Sequence, residues 1–204
     1  MIDEKAVELS SYERLKNLIL TGEIEQGIRI TEQFVSEKLE ISRIPVREAI
    51  QQLYLEGFIE RNGKNGYQIA TYDEQDIIDL YNYREALDGM LVRLFALRAD
   101  PSQIYYLEIT VSNLKDILNN FDPQKLLRND LDFHRTIARG SKNVYMQKQH
   151  EIILEKVLYI AQTLIRFGED SIPGYHDMVH YEDTYKEHER ILEAVKNRNP
   201  DDAE

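Results

Sequence analysis

Residues 30–70 read ITEQFVSEKLEISRIPVREAIQQLYLEGFIERNGKNGYQIA, and the punctuation of this stretch spells two short helices and a hairpin. Thr31 is placed to N-cap a helix running to Leu39, with Glu32 favourable in its first turn. Ser42 opens a second helix, with Pro45 in the first turn, where a missing N–H costs little. Ile50, Leu53 and Tyr54 give that helix a core face, and Gly57 stops it. FIERNGKNGYQIA, residues 58–70, then reads as two strands around an Asn/Gly turn.

Upstream, residues 5–20 carry Val7, Leu15, Leu18 and Ile19 at helical spacing, and TGEIEQGIRI (21–30) reads as a turn-rich connection. Downstream, the character of the chain changes near Thr71-Tyr72-Asp73. Glycines at 22, 27, 57, 63 and 66 punctuate the first part, whereas long helical patterns fill the second. Asp73 opens a helix to about Arg98, and Asp100-Pro101 and Asp122-Pro123 each pair an N-cap with a Pro at the first helical position. Residues 143–167 are apolar on more than one face (Ile153, Leu154, Val157, Leu158, Ala161, Leu164, Ile165), which predicts a central buried helix ended by Gly168. A last helix is predicted over 176–197. The predicted fold is mainly α, with three helices and a β-hairpin over residues 1–72 followed by an all-helical bundle over 73–204.

Composition sets outer limits. No stretch approaches the run of about 20 apolar residues that a membrane span needs, and MIDEKAVELSSYERLK lacks the features of a signal peptide, so a cytoplasmic location is expected. The absence of cysteine removes disulfides, thiolate metal sites and cysteine nucleophiles. The formal net charge of −12 argues against nucleic acid only if it is spread evenly. It is not: residues 1–72 hold nine Lys/Arg against twelve Asp/Glu, and the rest hold sixteen against twenty-five.

Two short helices followed by a hairpin make a winged helix-turn-helix, whose second helix enters the major groove with its N-terminal residues toward base edges. Arg43 and Arg47 lie four apart on one face at that end, and Arg is the side chain that bonds guanine O6 and N7 in bidentate fashion. Ser42 and the free N–H groups of the helix start suit phosphate, as does Lys64 at the hairpin tip. Spacing alone leaves a second reading open, in which both arginines are solvated charges paired with Glu40 or Glu48.

In the second part, Asp130 and His134 share one helix face with Leu127 and Ile137, and His188 shares its face with Leu192 and Val195. Arg84 and Asp88 lie on the stripe of Ile77, Tyr81 and Leu91. Polar groups on apolar faces are costly unless paired or bound. Read from spacing, Asp130–His134 is equally a buried hydrogen-bonded pair, Arg84–Asp88 an i, i+4 ion pair and His188 a satisfied core histidine.

The residues also carry a resemblance. SEKLEISRIPVREAIQQLYLEGFI closely resembles the DNA-binding domain of the GntR family of bacterial regulators, including its Ser-Arg-x-Pro-Val-Arg-Glu-Ala run and the Leu-x-x-Glu-Gly that follows. The resemblance implies that Ser42, Arg43, Pro45 and Arg47 contact an operator and that the hairpin around Gly63 and Gly66 is the wing. Gln33 stands where some members carry a further DNA-contacting Arg. YNYREALDGMLVRLFA, NDLDFHRTIARGSKN and YKEHERILEAV resemble the ligand-sensing FCD domain of the FadR subfamily. Many members hold a divalent metal on one Asp and three His beside a carboxylate effector. Asp130, His134 and His188 match three of those ligands, and Arg84 matches an Arg facing the effector pocket. The fourth ligand lies in the family on one further helix, expected to begin where this sequence ends at Glu204; His176 and His180, four apart, are candidate substitutes, but their unmatched positions and Gly/Asp-flanked context favour a surface location.

The resemblance thus implies a homodimeric repressor released from a pseudo-palindromic double-stranded operator by a small organic acid. A divalent ion (Zn²⁺, Ni²⁺, Mn²⁺ or Fe²⁺) on oxygen and imidazole donors accompanies that acid. The alternative is a DNA-binding regulator whose sensor binds neither metal nor effector. A metal-dependent enzyme is not expected, since there is no HExxH and no glycine-rich phosphate loop.

Overall fold

The computed structural model describes residues 9–63, 66–167 and 181–204, which fall into two compact units, Met1–Tyr72 and Asp73–Glu204. Lys64, Gly168, His176 and His180 lie outside the described residues.

The first unit is a winged helix-turn-helix. Helix α1 spans Ser11–Leu20, where Ser10 and Glu13 form a reciprocal capping box that fixes its start. Strand β1 is Arg29–Ile30, α2 is Glu32–Leu39 and α3 is Arg43–Glu56; strands β2 (Ile59–Arg61) and β3 (Tyr67–Ile69) form the wing. Thr31 caps α2 by accepting from the Phe34 N–H, and Gly57 ends α3 in the left-handed region at φ 77°. The sheet is antiparallel with β3 in the centre, pairing Ile59 with Ile69 on one side and Arg29 with Gln68 on the other. The third strand is a departure from the sequence reading, which treats residues 21–30 as connection only. Two residues give too short a pattern for alternation to register, yet they satisfy the outer edge of β3.

The core of this unit is built from Leu15, Ile19, Val35, Val46, Ile50, Leu53, Phe58 and Ile69, all buried. Tyr54 is not a core residue as predicted: it is 37% exposed, edge-on to Tyr67 at 5.6 Å, with the Arg61 guanidinium over both rings. A tyrosine in a wing contact keeps its hydroxyl wet while its ring packs. The inner side of α3 is instead Val46, Ala49, Ile50 and Leu53.

The second unit is an all-helical bundle. Helix α4 (Glu74–Arg98) opens with an Asp73/Asp76 capping box, and α5 (Pro101–Asn119) and α6 (Pro123–Gly140) begin at the two Asp-Pro junctions. Then follow α7 (Val144–Phe167), α8 (Tyr181–Lys196) and a short α9 (Pro200–Ala203) capped by Asn199. Helix α4 packs against α6, α7, α8 and α9, and α5 against α6 and α8. The shared core includes Leu91, Phe95, Leu107, Phe133, Ile137 and Val195. In α7, Ile153, Leu154, Val157 and Ile160 are buried, but Ile165 is 39% exposed, so burial is less complete than the sequence predicts.

Candidate functional site

In the first unit, the N-terminal end of α3 is open to solvent. Ser42, Arg43, Ile44 and Arg47 are exposed and Pro45 is half-buried. Ser42 occupies the N-cap yet makes no capping hydrogen bond with its own side chain, which leaves the hydroxyl uncommitted at the helix start. Arg47 is paired neither with Glu40 nor with Glu48. It forms a two-point bridge to Glu32 on α2, Nε to Oε1 at 2.6 Å and Nη2 to Oε2 at 3.0 Å. The Arg47 bonds hold the Glu32 carboxyl below its ordinary range. Gln33 is exposed and donates to Glu37 one turn on at 2.9 Å. At the wing, the Asn62 N–H donates to the Gly66 carbonyl at 3.0 Å, and a Cβ at position 66 would lie 3.0 Å from the Asn62 oxygen. Gly63 sits at φ 66°, so both glycines serve the tight return of the strand.

In the second unit, polar side chains from four helices converge between α4, α6, α7 and α8. Asp130 and His134 project from α6, His188 from α8, Arg84 and Asp88 from α4, and His150 from α7. Asp130 Oδ1 stands 3.5 Å from His134 Nε2 and 3.6 Å from His188 Nε2. Those gaps are too long for good hydrogen bonds, and they approximate the ~3.3 Å separation of tetrahedral ligands with bonds near 2.05 Å. His188 is buried with its ring stacked on Phe133 at 3.7 Å, and its Nδ1 has no hydrogen-bond partner. Burial pushes the His188 imidazole down to about 4, so it is neutral at neutral pH and one of its two nitrogens offers a lone pair.

The opposite edge of His134 faces Asp88. Its Nδ1 lies 3.2 Å from Asp88 Oδ2, which also accepts from Arg84 Nε at 3.1 Å, while Asp88 Oδ1 meets His150 Nε2 at 2.6 Å. Arg84 also reaches Asp130 Oδ2 at 3.5 Å and lies over the Tyr81 ring. Burial alone raises both carboxyls. The neighbouring His134 and Arg84, with the His150 bond at Asp88, overcome it and hold Asp88 and Asp130 well below the ordinary carboxylate range. For His134, burial and Arg84 press downward, but the two flanking carboxylates win and the net direction is upward.

A cavity of about 590 Å³ opens beside this cluster between α4, α6, α8 and α9, within the range of small-molecule sites. Arg84, Asp88 and His134 line it together with Tyr81, Arg190 and Ile191; Asp130 and His188 do not. Asp130, His134 and His188 therefore come together as one group of possible metal donors, with Arg84 alongside. Asp88, His134 and His150 make a second, overlapping group. His150 escapes the sequence reading. The signal was nonetheless there: Met146, His150, Ile153, Leu154 and Val157 form one apolar stripe with a histidine in it, the same pattern that singles out His188.

The chain is matched over residues 9–69 by the model of the bacterial regulatory proteins of the gntR family and over residues 79–204 by that of the FCD domain. It is 29% identical over 196 residues to the uncharacterized HTH-type transcriptional regulator YdhC of Bacillus subtilis, covering 96% of this chain and 83% of that one. It is 26% identical over 193 residues to the gluconate operon transcriptional repressor of Bacillus subtilis, covering 93% and 75%. Among solved structures, Escherichia coli McbR/YncC shares the fold at a TM-score of 0.69 with 16% identity, covering 95% of this chain and 87% of that one. With a winged helix-turn-helix of the first family and an FCD bundle occupying more than half its length, the chain belongs to the GntR family of bacterial transcriptional regulators.

Proposed function

We propose that the chain is a cytoplasmic, homodimeric repressor that releases a pseudo-palindromic operator when its bundle binds a small organic carboxylate beside a divalent metal ion. The observation that carries the sensor half is the meeting of Asp130 Oδ1, His134 Nε2 and His188 Nε2 at ligand-like spacing. These donors fit an ion: one is an ionised carboxylate, one a neutral buried imidazole, and their gaps are too wide to be closed by direct hydrogen bonds. Such an ion, when bound, would present a Lewis-acidic face to a carboxylate in the adjoining cavity. Arg84 supplies the fixed positive charge that orients that carboxylate, and Ile191 a nonpolar wall.

The DNA half rests on the exposed start of α3, where Ser42, Arg43 and Arg47 surround free helical N–H groups. Arg47 must exchange Glu32 for a base edge, so Glu32 tunes how readily it is released. Two copies related by a two-fold axis place two such helices on one face of the duplex. Ligand changes DNA binding only through unequal affinity for the DNA-competent and DNA-free arrangements.

Arg47→Ala is expected to weaken binding to an operator fragment recovered by selection by ~10–100-fold, matching about 1–3 kcal/mol for one base contact. Unchanged affinity in a fluorescence titration sinks the recognition-helix assignment. Protein purified without chelator is expected to hold about one divalent ion per chain by mass spectrometry, lost in the Asp130→Ala, His134→Ala double variant. One observation favours a second reading, a regulator without a metal. Asp88 and Asp130 are already neutralised by Arg84 and by the raised His134. Absence of metal from the wild-type chain selects that reading.

A further inference from the structure

We propose that His150 is a positioning residue of this metal site, acting through Asp88 to hold His134 with its Nε2 lone pair toward Asp130 and His188; this rests on the metal reading above. His150 is 1% exposed, and its Nδ1 is buried without a hydrogen-bond partner. A buried acceptor left bare costs less than a buried N–H left bare, so the ring proton of His150 belongs on Nε2. That N–H donates to Asp88 Oδ1 at 2.6 Å. Asp88, bridged to the Arg84 guanidinium at 3.1 Å, is a carboxylate that can only accept, so the His134 nitrogen facing its Oδ2 at 3.2 Å must also carry a proton. In its neutral form, the one that can ligate an ion, the His134 imidazole has one ring proton. Once Nδ1 of His134 holds it, Nε2 is bare, and Nε2 is the atom that faces Asp130 Oδ1 at 3.5 Å.

Two donors thus converge on Asp88 of α4, His150 Nε2 from α7 and His134 Nδ1 from α6. Held at its Nδ1, His134 turns its other nitrogen toward Asp130 and His188, the arrangement by which a carboxylate sets the tautomer and basicity of a metal-ligating histidine. His150 matters because Asp88 has a competitor for its loyalty. Arg84 Nε already bonds Oδ2, and a guanidinium can take both oxygens of a carboxylate. With Oδ1 anchored by His150, Asp88 cannot rotate into a two-point bridge with Arg84 and abandon His134.

The test uses the full chain stripped of metal, Co²⁺ alone as probe, and the variants His150→Leu and His150→Gln, the second keeping an N–H donor within reach of Asp88. Leucine is expected to weaken Co²⁺ binding by ~10–100-fold, read from visible absorption under a competing chelator. In the metal-free chain, ¹⁵N ring spectra above the titration of His134 should show Nδ1 protonated in the wild type and a mixture of tautomers with leucine. Glutamine should restore both. Wild-type affinity and ring shifts with leucine overturn the proposal while leaving the metal site standing, and so do equal losses with leucine and glutamine, which would mean packing. Should the leucine variant not fold, the glutamine variant and the wild-type spectrum carry the test: His134 protonated on Nε2 in the wild type overturns the proposal, and Nδ1 protonation with Co²⁺ affinity retained in the glutamine variant supports it. A wild-type chain that takes up no Co²⁺ removes both the proposal and the metal reading.

Discussion

A methyl group has no room at position 140. A Cβ there would overlap the Phe95 ring, which belongs to the bundle core, and would lie 3.3 Å from Gln103 Oε1. Phe95 is fully buried and cannot yield without opening a void, so the glycine sets how closely α6 approaches α4 at its C-terminal end. Gly140→Ala is expected to cost about 1–3 kcal/mol, the range of a forced overpacking, and to lower the thermal midpoint without touching DNA contacts. A midpoint equal to wild type would mean that the ring moves freely. The same scale shows why the site is only partly legible in sequence. Asp130, His134 and His188 stand out because their helices are amphipathic and the polar residue sits on the apolar stripe. Asp88 reads as the partner of Arg84, and the structure gives it three donors from three helices, a number no spacing along one chain conveys.

At the scale of elements, the helix-turn-helix is held by a contact that explains why its motif carries Glu before Gly. Glu56, at the last turn of α3, accepts from Lys16 Nζ at 2.9 Å and from the Tyr12 hydroxyl at 2.7 Å, both on α1. Lys16 is buried, and burial with the Glu56 carboxylate pushes the Tyr12 phenol up to about 12. Removing one member of a buried charged pair leaves the other undercompensated. Glu56→Ala is therefore expected to loosen α1 by about 2–4 kcal/mol, seen as faster amide hydrogen exchange in α1 than in α4 of the same molecule. Equal protection before and after would show that apolar packing alone fixes α1. Elements with strong caps were readable to within a residue or so: Thr31, Gly57 and the Asp-Pro starts of α5 and α6 mark boundaries by local chemistry. Strand β1 was not readable, because two residues owe their conformation to the neighbour β3 rather than to any pattern of their own.

For the whole molecule, the cluster makes stability depend on pH in a form that distinguishes metal-free from metal-bound protein. His188 is pushed down to about 4 in the folded state, so it contributes stability above the unfolded value near 6.5. That contribution drains away as pH falls from 6.5 toward 4, by about 3 kcal/mol over the full window. His134 is shifted the other way; its contribution is complete below 6.5 and is lost as pH rises through its raised folded value. Asp88 and Asp130 are depressed, so theirs survives until pH drops below the ordinary carboxylate range. The two histidines oppose each other about the same pH, and the cluster's contribution in chelator-treated protein is expected to peak near 6.5, falling on both sides. An ion on His134 Nε2 must displace the proton that the raised value retains, so metal stabilisation grows with pH where the metal-free contribution declines. Thermal midpoints from pH 5 to 8.5, with and without Zn²⁺, should therefore diverge on the alkaline side and converge on the acid side. Parallel curves would mean that the ion, if it binds at all, sits away from His134.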